Sequence, residues 1–355
     1  MMQSVLPASA NEVTLAYQRQ LYKRVIILVT LIVLIVTTLL VDFTLGPSGL
    51  SLSGLFQALI HPNEVDATTQ VIVWELRLPY ALIAVAVGLS LGLAGAEIQT
   101  ILNNPLASPF TLGISSAAAF GAAMAIVLNI SIPGISPTWI ISSNAFLFAV
   151  LSAVMLDAVT RWGGMPASGV VLFGIALVFS FNALLSLLQF VASADALQGV
   201  VFWTMGSLTQ ATWVKVGILF ALFVVLLPFA MANAWKMTAF RLGEERAASF
   251  GVSVKRLRLG VLIRVSLLSA TAVAFVGTIG FIGLVAPHIA RRFVGEDHRF
   301  YLPASALIGG AILSMASVAS KNIIPGVIIP VGIVTALVGI PFFLLIVFSM
   351  RGQGR

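Results

Sequence analysis

Nine apolar stretches, each about long enough to cross a bilayer, constrain this chain more than any other feature. They cover residues 25–45, 78–102, 110–130, 138–160, 166–191, 214–235, 261–290, 303–320 and 326–349. A helix needs about 20 mostly apolar residues to cross a hydrocarbon core of about 30 Å, and its backbone polar groups must bond internally. With 59% hydrophobic and 9% charged residues, the chain is predicted to be an all-α, polytopic bundle in a lipid bilayer.

The lysines and arginines predict which loops are cytoplasmic, because cytoplasmic loops of membrane proteins carry an excess of both. Arg19, Lys23 and Arg24 precede the first stretch, so the N-terminus is predicted to lie inside. Alternation of the stretches that follow then places the loop 236–260 inside as well. Counted with Arg264, that loop carries seven cations: Lys236, Arg241, Arg246, Lys255, Arg256, Arg258 and Arg264.

The seventh stretch, 261–290, creates a conflict if it crosses the membrane once. The arginines that follow it, Arg291, Arg292 and Arg299, would then face outside. If the stretch crosses twice, they return to the cytoplasm and the helices number about ten. The residues that could break this stretch are Gly277, Gly280, Gly283 and Pro287, since glycine is flexible and proline interrupts the helix. We therefore expect two short spans in this region.

The resulting prediction is a single transmembrane domain over 25–349 in the cytoplasmic (inner) membrane. It lies between a cytoplasmic N-terminal segment, 1–24, and a cytoplasmic tail, 350–355. All but three of the 19 Lys and Arg then lie inside; the exceptions are Arg77, Lys215 and Lys321. The sequence pI is about 10.2. Because the basic residues lie beside membrane spans, where the positive-inside rule expects them, no nucleic-acid partner is expected.

Metal and cofactor sites are not expected in this chain. It has no cysteine, which excludes thiolate metal sites and iron–sulfur clusters. The three histidines, His61, His288 and His298, share no spacing typical of metal ligands.

Several motifs occur in a fixed order along the chain. They are Arg77-Leu78-Pro79, Gly88 to Gln99, Asn104-Pro105-Leu106-Ala107, Trp203 to Ser207, Leu242 to Val252, Gly280 to Arg291, Asp297-His298-Arg299 and Pro330 to Phe343. Together they resemble the FecCD family, the membrane subunits of type II ABC importers for ferric siderophores, haem and cobalamin. The resemblance runs from about residue 30 to 349 and implies the ten-helix fold of a type II ABC importer permease.

The resemblance also implies the partners and the function. The chain would pair with a second permease subunit, identical or paralogous, two copies of a cytoplasmic ABC ATPase and an extracytoplasmic solute-binding protein. It would form the path of an iron chelate, with a ferric siderophore as the expected cargo. Haem, cobalamin or an oxyanion are alternatives with the same architecture.

The loop 236–260, here called the coupling loop, is the strongest functional feature outside the spans. The chain contains no Gly-x-x-x-x-Gly-Lys-Ser/Thr motif, so energy is expected to come from a partner that uses ATP and Mg, and no enzyme activity or bound cofactor is expected here. By resemblance, the loop folds as short helices that dock on the ATPase. The residues that match are Leu242, Gly243, Glu244, Glu245, Arg246, Ala247 and Gly251.

The resemblance assigns two further sets of residues. Asn104 and Leu106, with Ser168 as a looser match, would form the cytoplasmic gate. Arg77 and Lys321 would dock the binding protein through charge pairs. The usual Ala-Asp-x-x-Ala-Arg motif reads Ala316-Ser317-Val318-Ala319-Ser320-Lys321 here, so the carboxylate is absent and Lys replaces Arg.

Glu97 is an acidic residue inside the second stretch, where the family usually has an apolar one. An intramembrane carboxylate is costly and is a functional hypothesis by default. We favour a structural, hydrogen-bonding role for Glu97. The alternative is a proton-coupled secondary transporter that uses Glu97 as its carrier. The nearby residues Gly88, Gly92 and Gly95 are predicted to let helices pack closely.

Overall fold

The computed structural model describes residues 10–46, 49–162 and 167–352. Within those residues the regular structure is helical, apart from one isolated bridge between Ile324 and Val327. The all-α prediction is therefore confirmed. The α-helices are α1 Ala10–Thr44, α2 Leu52–Ile60, α3 Ala67–Val71, α4 Leu78–Ile101, α5 Ile114–Val127, α6 Pro137–Trp162, α7 Ala167–Val191, α8 Ala194–Thr204, α9 Trp213–Ala232, α10 Ala234–Phe240, α11 Glu244–Ser249, α12 Val254–Val276, α13 Ile282–Val294, α14 His298–Asn322 and α15 Val331–Gly352.

Ten helical units account for the predicted spans. Seven are long and apolar enough to cross a membrane: α1, the continuous Ala67–Ile101 helix that contains α4, α6, α7, α9, α12 and α14. The shorter apolar helices α5 and α15 and the buried helix α13 complete the set. The remaining short helices, including α8, α10 and α11, connect the spans.

Ion pairs show which loops share an end of the bundle. Arg24 in α1 lies 3.3 Å from Asp297, and Arg241 pairs with Glu296. The part of α1 around Arg24, the coupling loop and the turn after α13 therefore lie together. Because the coupling loop precedes α12 and Asp297 follows α13, these two helices form a hairpin that leaves and returns to the same end, as predicted.

The hairpin turns between α12 and α13, at residues 277–281. Gly277 has φ of 75° and Phe281 has φ of 68°, both in the left-handed region. Gly283 and Pro287 lie inside α13 and break no helix. The prediction of two short spans is wrong for α12, because this helix begins at Val254 within the coupling loop and has 23 residues. Only α13, with 13 residues, is short.

Helix α4 forms the centre of the bundle, and its glycines explain how its neighbours approach it. A Cβ atom at Gly88 would collide with the carbonyl of Gly309 in α14, and one at Gly92 with the carbonyl of Ser305. A Cβ atom at Gly95 would collide with the carbonyl of Gly283 in α13. The predicted packing role of these glycines is confirmed, since small residues allow close helix contact in lipid.

Candidate functional site

The coupling loop includes most of the short helix α10 and the whole of α11, and a glycine lies on each side of α11. Helix α10 ends at Phe240, and α11 covers Glu244–Ser249. Gly243 and Gly251, on either side of α11, have φ of 108° and 79°. These values favour glycine because a Cβ atom is strained in this region. The two glycines thus set where α11 begins and ends.

Helix α11 presents a mixed apolar and charged surface. Ala247 and Val252 are buried and anchor the loop to the bundle. Leu242 and Phe250 are 54% and 60% exposed. The charged residues between them are also exposed: Glu244, Glu245 and Arg246. Exposed apolar side chains rimmed by charges are typical of a surface that binds another protein.

An ion pair ties α11 to the helix that follows it. Arg258 Nη2 of α12 lies 2.5 Å from Glu244 Oε1. This pair links α11 to a helix that continues as a candidate membrane span.

The turn between α13 and α14 forms ion pairs at the same end of the bundle as the coupling loop. Glu296 accepts from Arg241 and lies 3.3 Å from Arg291 Nε. Hydrogen bonds donated by Arg299 hold the pKa of the neighbouring Asp297 carboxyl below its usual value. Asp297 stays charged in this environment and can keep its ion pair with Arg24.

The predicted gate residues lie in a tight turn after α4. Asn104 Oδ1 accepts a hydrogen bond of 2.9 Å from the backbone N–H of Leu106, and this bond fixes the turn around Pro105. The preceding residue, Asn103, has φ of 44°. Asn tolerates this region better than most residues because its short side chain bonds locally.

Asn104 and Leu106 line a cavity of about 410 Å³ with residues from three other helices or turns. The cavity wall includes Ile175 of α7, Phe281 at the hairpin turn and Phe343 of α15. Ser168 does not line the cavity; it is exposed near the start of α7, one turn before the lining residue Val171. Two of the three predicted gate residues, Asn104 and Leu106, therefore lie together at one cavity, and Ser168 does not.

Glu97 forms a buried ion pair with Arg264 of α12. Arg264 Nε lies 2.9 Å from Oε1 and 3.2 Å from Oε2 of Glu97. The Glu97 side chain is fully buried, and that of Arg264 is 7% exposed. In the sequence, Arg264 belongs to the cations counted with the coupling loop, and no local pattern there pairs it with Glu97. Arg264 lies further along α12 than the other cations, within the apolar part of the helix. This position is the sequence signal that could have indicated a buried acidic partner.

Arg77 and Lys321 lie at the opposite end of the bundle, where both contact the end of α1. Arg77 Nη1 donates to the carbonyls of Phe43, at 3.2 Å, and Thr44, at 2.9 Å. Lys321 Nζ lies 2.9 Å from Asp42 Oδ1 and is almost fully buried. Both cations therefore have intramolecular partners, and their role in docking a binding protein stays a prediction.

Asp42 supplies the carboxylate that the motif around Ser317 lacks. Ser317 Oγ donates to both carboxylate oxygens of Asp42, at 2.9 and 2.8 Å. The ammonium of Lys321 also lies 4.3 Å from the ring centre of Tyr80. Ser317, Lys321 and Tyr80 thus form one buried cluster with Asp42 of α1.

Both ring nitrogens of His298 lie within hydrogen-bond distance of a threonine hydroxyl group. Its Nε2 lies 2.8 Å from Thr100 Oγ1 and its Nδ1 lies 3.1 Å from Thr238 Oγ1. Since both ring nitrogens have a partner from another helix, His298 joins α4, α10 and α14 at the coupling-loop end.

A helical bundle whose spans are joined by a half-buried turn after α4 and by the short helices α10 and α11 fits the membrane subunit of a transporter. The comparisons with known proteins agree. Residues 31–349 match the model of the FecCD transport family, and the chain belongs to that family. It is a multi-pass membrane protein and a permease subunit of an ABC transporter.

Individual relatives cover almost the whole chain. The ABC transporter permease protein MJ0087 of Methanocaldococcus jannaschii is 35% identical over 94% of this chain and 97% of its own length. The hemin transport system permease HmuU of Yersinia pestis is 34% identical over 89% and 94%. A solved inward-facing structure, described as a metal-chelate type ABC transporter, has a TM-score of 0.79 and 30% identity over 91% and 99%. Further relatives are named for Fe(3+)-citrate, molybdate and cobalamin.

Proposed function

We propose that this chain forms the translocation path of an ATP-driven, binding-protein-dependent importer of an iron chelate, with a ferric siderophore as its cargo. The observation that carries the importer proposal is the exposed surface of α11, with Leu242 and Phe250 beside three charged residues. A permease needs such a surface because it contains no phosphate-binding loop and must receive energy from a partner.

The proposed orientation places the coupling-loop end in the cytoplasm of a cell whose inner membrane holds the protein. The arginines that converge there, Arg24, Arg241 and Arg291, agree with the positive-inside rule. The cations at the other end, Arg77 and Lys321, are buried against α1. Both termini are then cytoplasmic.

In the proposed assembly, two ATPase subunits bind the α11 surfaces of this chain and of a second permease subunit. A solute-binding protein delivers cargo to the opposite end. Movement of α11 passes to α12 through the Arg258–Glu244 pair. The ATP and Mg belong to the ATPase subunits.

The cargo proposal is supported by the chemistry of the gate cavity and by the relatives. The side chains that line the cavity are apolar or uncharged, including Phe110, Leu284 and Phe343. Such a wall suits a large chelate that carries its own metal ligands, because the protein then needs no charged group along the path. The structural relative is described as a metal-chelate transporter, and one permease relative is named for Fe(3+)-citrate.

The test is reconstitution of this chain with the ATPase and binding protein encoded beside its gene. We expect binding protein loaded with a ferric siderophore to stimulate ATP hydrolysis. In a Glu244→Ala/Glu245→Ala/Arg246→Ala variant, we expect stimulation to fall by about tenfold or more, since central interface residues carry most of the binding energy. A matched Arg19→Ala/Lys23→Ala variant removes exposed charges of α1 and is expected to keep full stimulation.

The outcomes separate the importer proposal from the cargo proposal. Stimulation by hemin, cobalamin or molybdate, without stimulation by any ferric siderophore, would leave the importer intact and replace the cargo. Uptake by this chain alone, driven by a proton gradient and lost in Glu97→Gln, would instead favour a secondary transporter.

We also propose that Asn104 and Leu106 close the cytoplasmic end of the path. Asn104→Ala removes the acceptor for the Leu106 N–H, a hydrogen bond of about 1 kcal/mol, so leak of cargo through the resting complex is expected to rise about fivefold. Asn104→Asp keeps an acceptor oxygen and is expected to leak like the wild type. Equal leak from both variants in a vesicle efflux assay would show that this bond does not hold the gate.

A further inference from the structure

A second cavity lies at the base of the coupling loop, lined mostly by residues of that loop, and takes no part in the proposed path. It has a volume of about 280 Å³ and lies between the end of α9 and the start of α12. Its wall includes Asn233, Lys236, Ser253, Arg256, Gly260 and Arg264. Three of these side chains are cationic and none is acidic.

The positive charge of this cavity is largely uncompensated. Among the described residues, Lys236 and Arg256 form no ion pair, and Lys236 Nζ donates one hydrogen bond, to Asn233 Oδ1 at 3.1 Å. Helix α12 starts at the cavity, and its N-cap residue Ser253 makes no side-chain capping bond. The cavity therefore combines two cations that form no ion pair among the described residues with the start of a helix, where the first N–H groups have no intrahelical acceptor, and this arrangement favours an anion.

Arg264 closes the inner end of the cavity. Its Nε and Nη2 donate to Glu97, so its charge is balanced within the bundle. Its remaining nitrogen, Nη1, lies beside Gly260, 3.4 Å from where a Cβ atom would stand. The buried guanidinium of Arg264 therefore forms part of the cavity wall, next to Gly260 of α12.

The walls of the cavity continue into exposed apolar surface of the helices. Phe229 lies one turn before Asn233 on α9 and is 60% exposed, and Ile263 lies one turn after Gly260 on α12 and is 50% exposed. Trp235, next to Lys236, is 53% exposed, and tryptophan is enriched where a membrane meets water. In the proposed orientation, the cations therefore lie at the cytoplasmic end of α9 and α12, beside exposed apolar helix surface.

We propose that this cavity binds the phosphate of an anionic phospholipid headgroup, with the acyl chains on the surface of α9 and α12. Basic pockets between transmembrane helices on the cytoplasmic side recognise such headgroups. The bound phosphate would join Lys236, which follows α9, to Arg256 in the first turn of α12. Anionic lipid would thereby stiffen the base of the coupling loop, a property independent of the cargo.

The test uses the full chain in uncharged detergent and short-chain phosphatidylglycerol, with binding followed by calorimetry. We expect Lys236→Gln and Arg256→Gln each to weaken binding of phosphatidylglycerol by about fivefold, because one cation near a membrane surface typically contributes that much to the affinity for anionic lipid. The double variant is expected to weaken binding by about 25-fold. Lys255→Gln is the matched control, because Lys255 is exposed beside Arg256 and does not line the cavity.

Two probes identify the source of the phosphate. Short-chain phosphatidylcholine, whose headgroup has no net charge, and inorganic phosphate are both expected to bind much more weakly than phosphatidylglycerol. Inorganic phosphate binding as tightly as phosphatidylglycerol would overturn the lipid assignment in favour of a soluble anion. Equal loss in Lys255→Gln, or no loss in the double variant, would overturn the site itself. None of these outcomes depends on the ATPase or the cargo.

Discussion

Replacing Arg264 with Met is expected to lower the free energy of unfolding by about 3–5 kcal/mol, because the Glu97 carboxylate would remain buried without its counter-charge. Glu97 is fully buried in α4, and its hydrogen bonds to other side chains within the described chain all come from Arg264. The measurement is thermal unfolding of the purified chain in uncharged detergent.

Two variants show whether the missing charge causes the loss. The double variant Glu97→Met/Arg264→Met removes both charges at similar volume and is expected to be as stable as the wild type or more so, as is common for buried ion pairs. Lys255→Met removes an exposed cation of the same helix and is expected to change stability by less than about 0.5 kcal/mol. If Arg264→Met unfolds like the wild type, the ion pair does not hold these helices together.

The position of the Glu97–Arg264 pair also relates it to the proposed transport function. Arg264 lies in α12, which leaves the coupling loop, and Glu97 lies in α4, which leads into the turn of Asn104. One contact thus joins the helix that would receive force from the ATPase to the helix that holds the proposed gate. The same geometry argues against a proton carrier, because Glu97 would have to lose its bond to Arg264 at each turnover.

Much of the topology could be predicted from the sequence because it depends on local patterns. Hydropathy located the spans, and the arginines around 291–299 required a hairpin within 261–290. The error at the start of α12 has a physical reason. Lys255, Arg256 and Arg258 are typical of a cytoplasmic loop, yet long cationic side chains can extend from a helix end towards water.

The partners of charged residues could not be predicted in this way. Glu97 and Arg264 are 167 positions apart, and Asp42 and Lys321 are 279 apart. No local period relates such residues, because helix packing in three dimensions decides which of them meet. Lys321 in particular looked like a free cation in the sequence, whereas Asp42 of α1 pairs with it.

Gly95→Ala is expected to destabilise the bundle by about 3 kcal/mol or more, at or above the upper end of typical overpacking costs. The new methyl group would collide with the backbone carbonyl of Gly283, and backbone cannot turn aside as a flexible side chain does. Relief would require α4 and α13 to separate. The measurement is the unfolding midpoint in detergent, together with the yield of folded protein from membranes.

Gly217→Ala provides the matched control, since it is the same substitution inside a transmembrane helix with no atom within 4 Å of the new methyl group. Because alanine favours a helix over glycine, this variant is expected to be as stable as the wild type or more stable by up to about 1 kcal/mol. Opposite signs for the two variants would show that helix contact, and not helix propensity, requires Gly95. Equal, small effects would mean that α4 and α13 are less closely packed than described, and that α13 is free to move against the centre of the bundle.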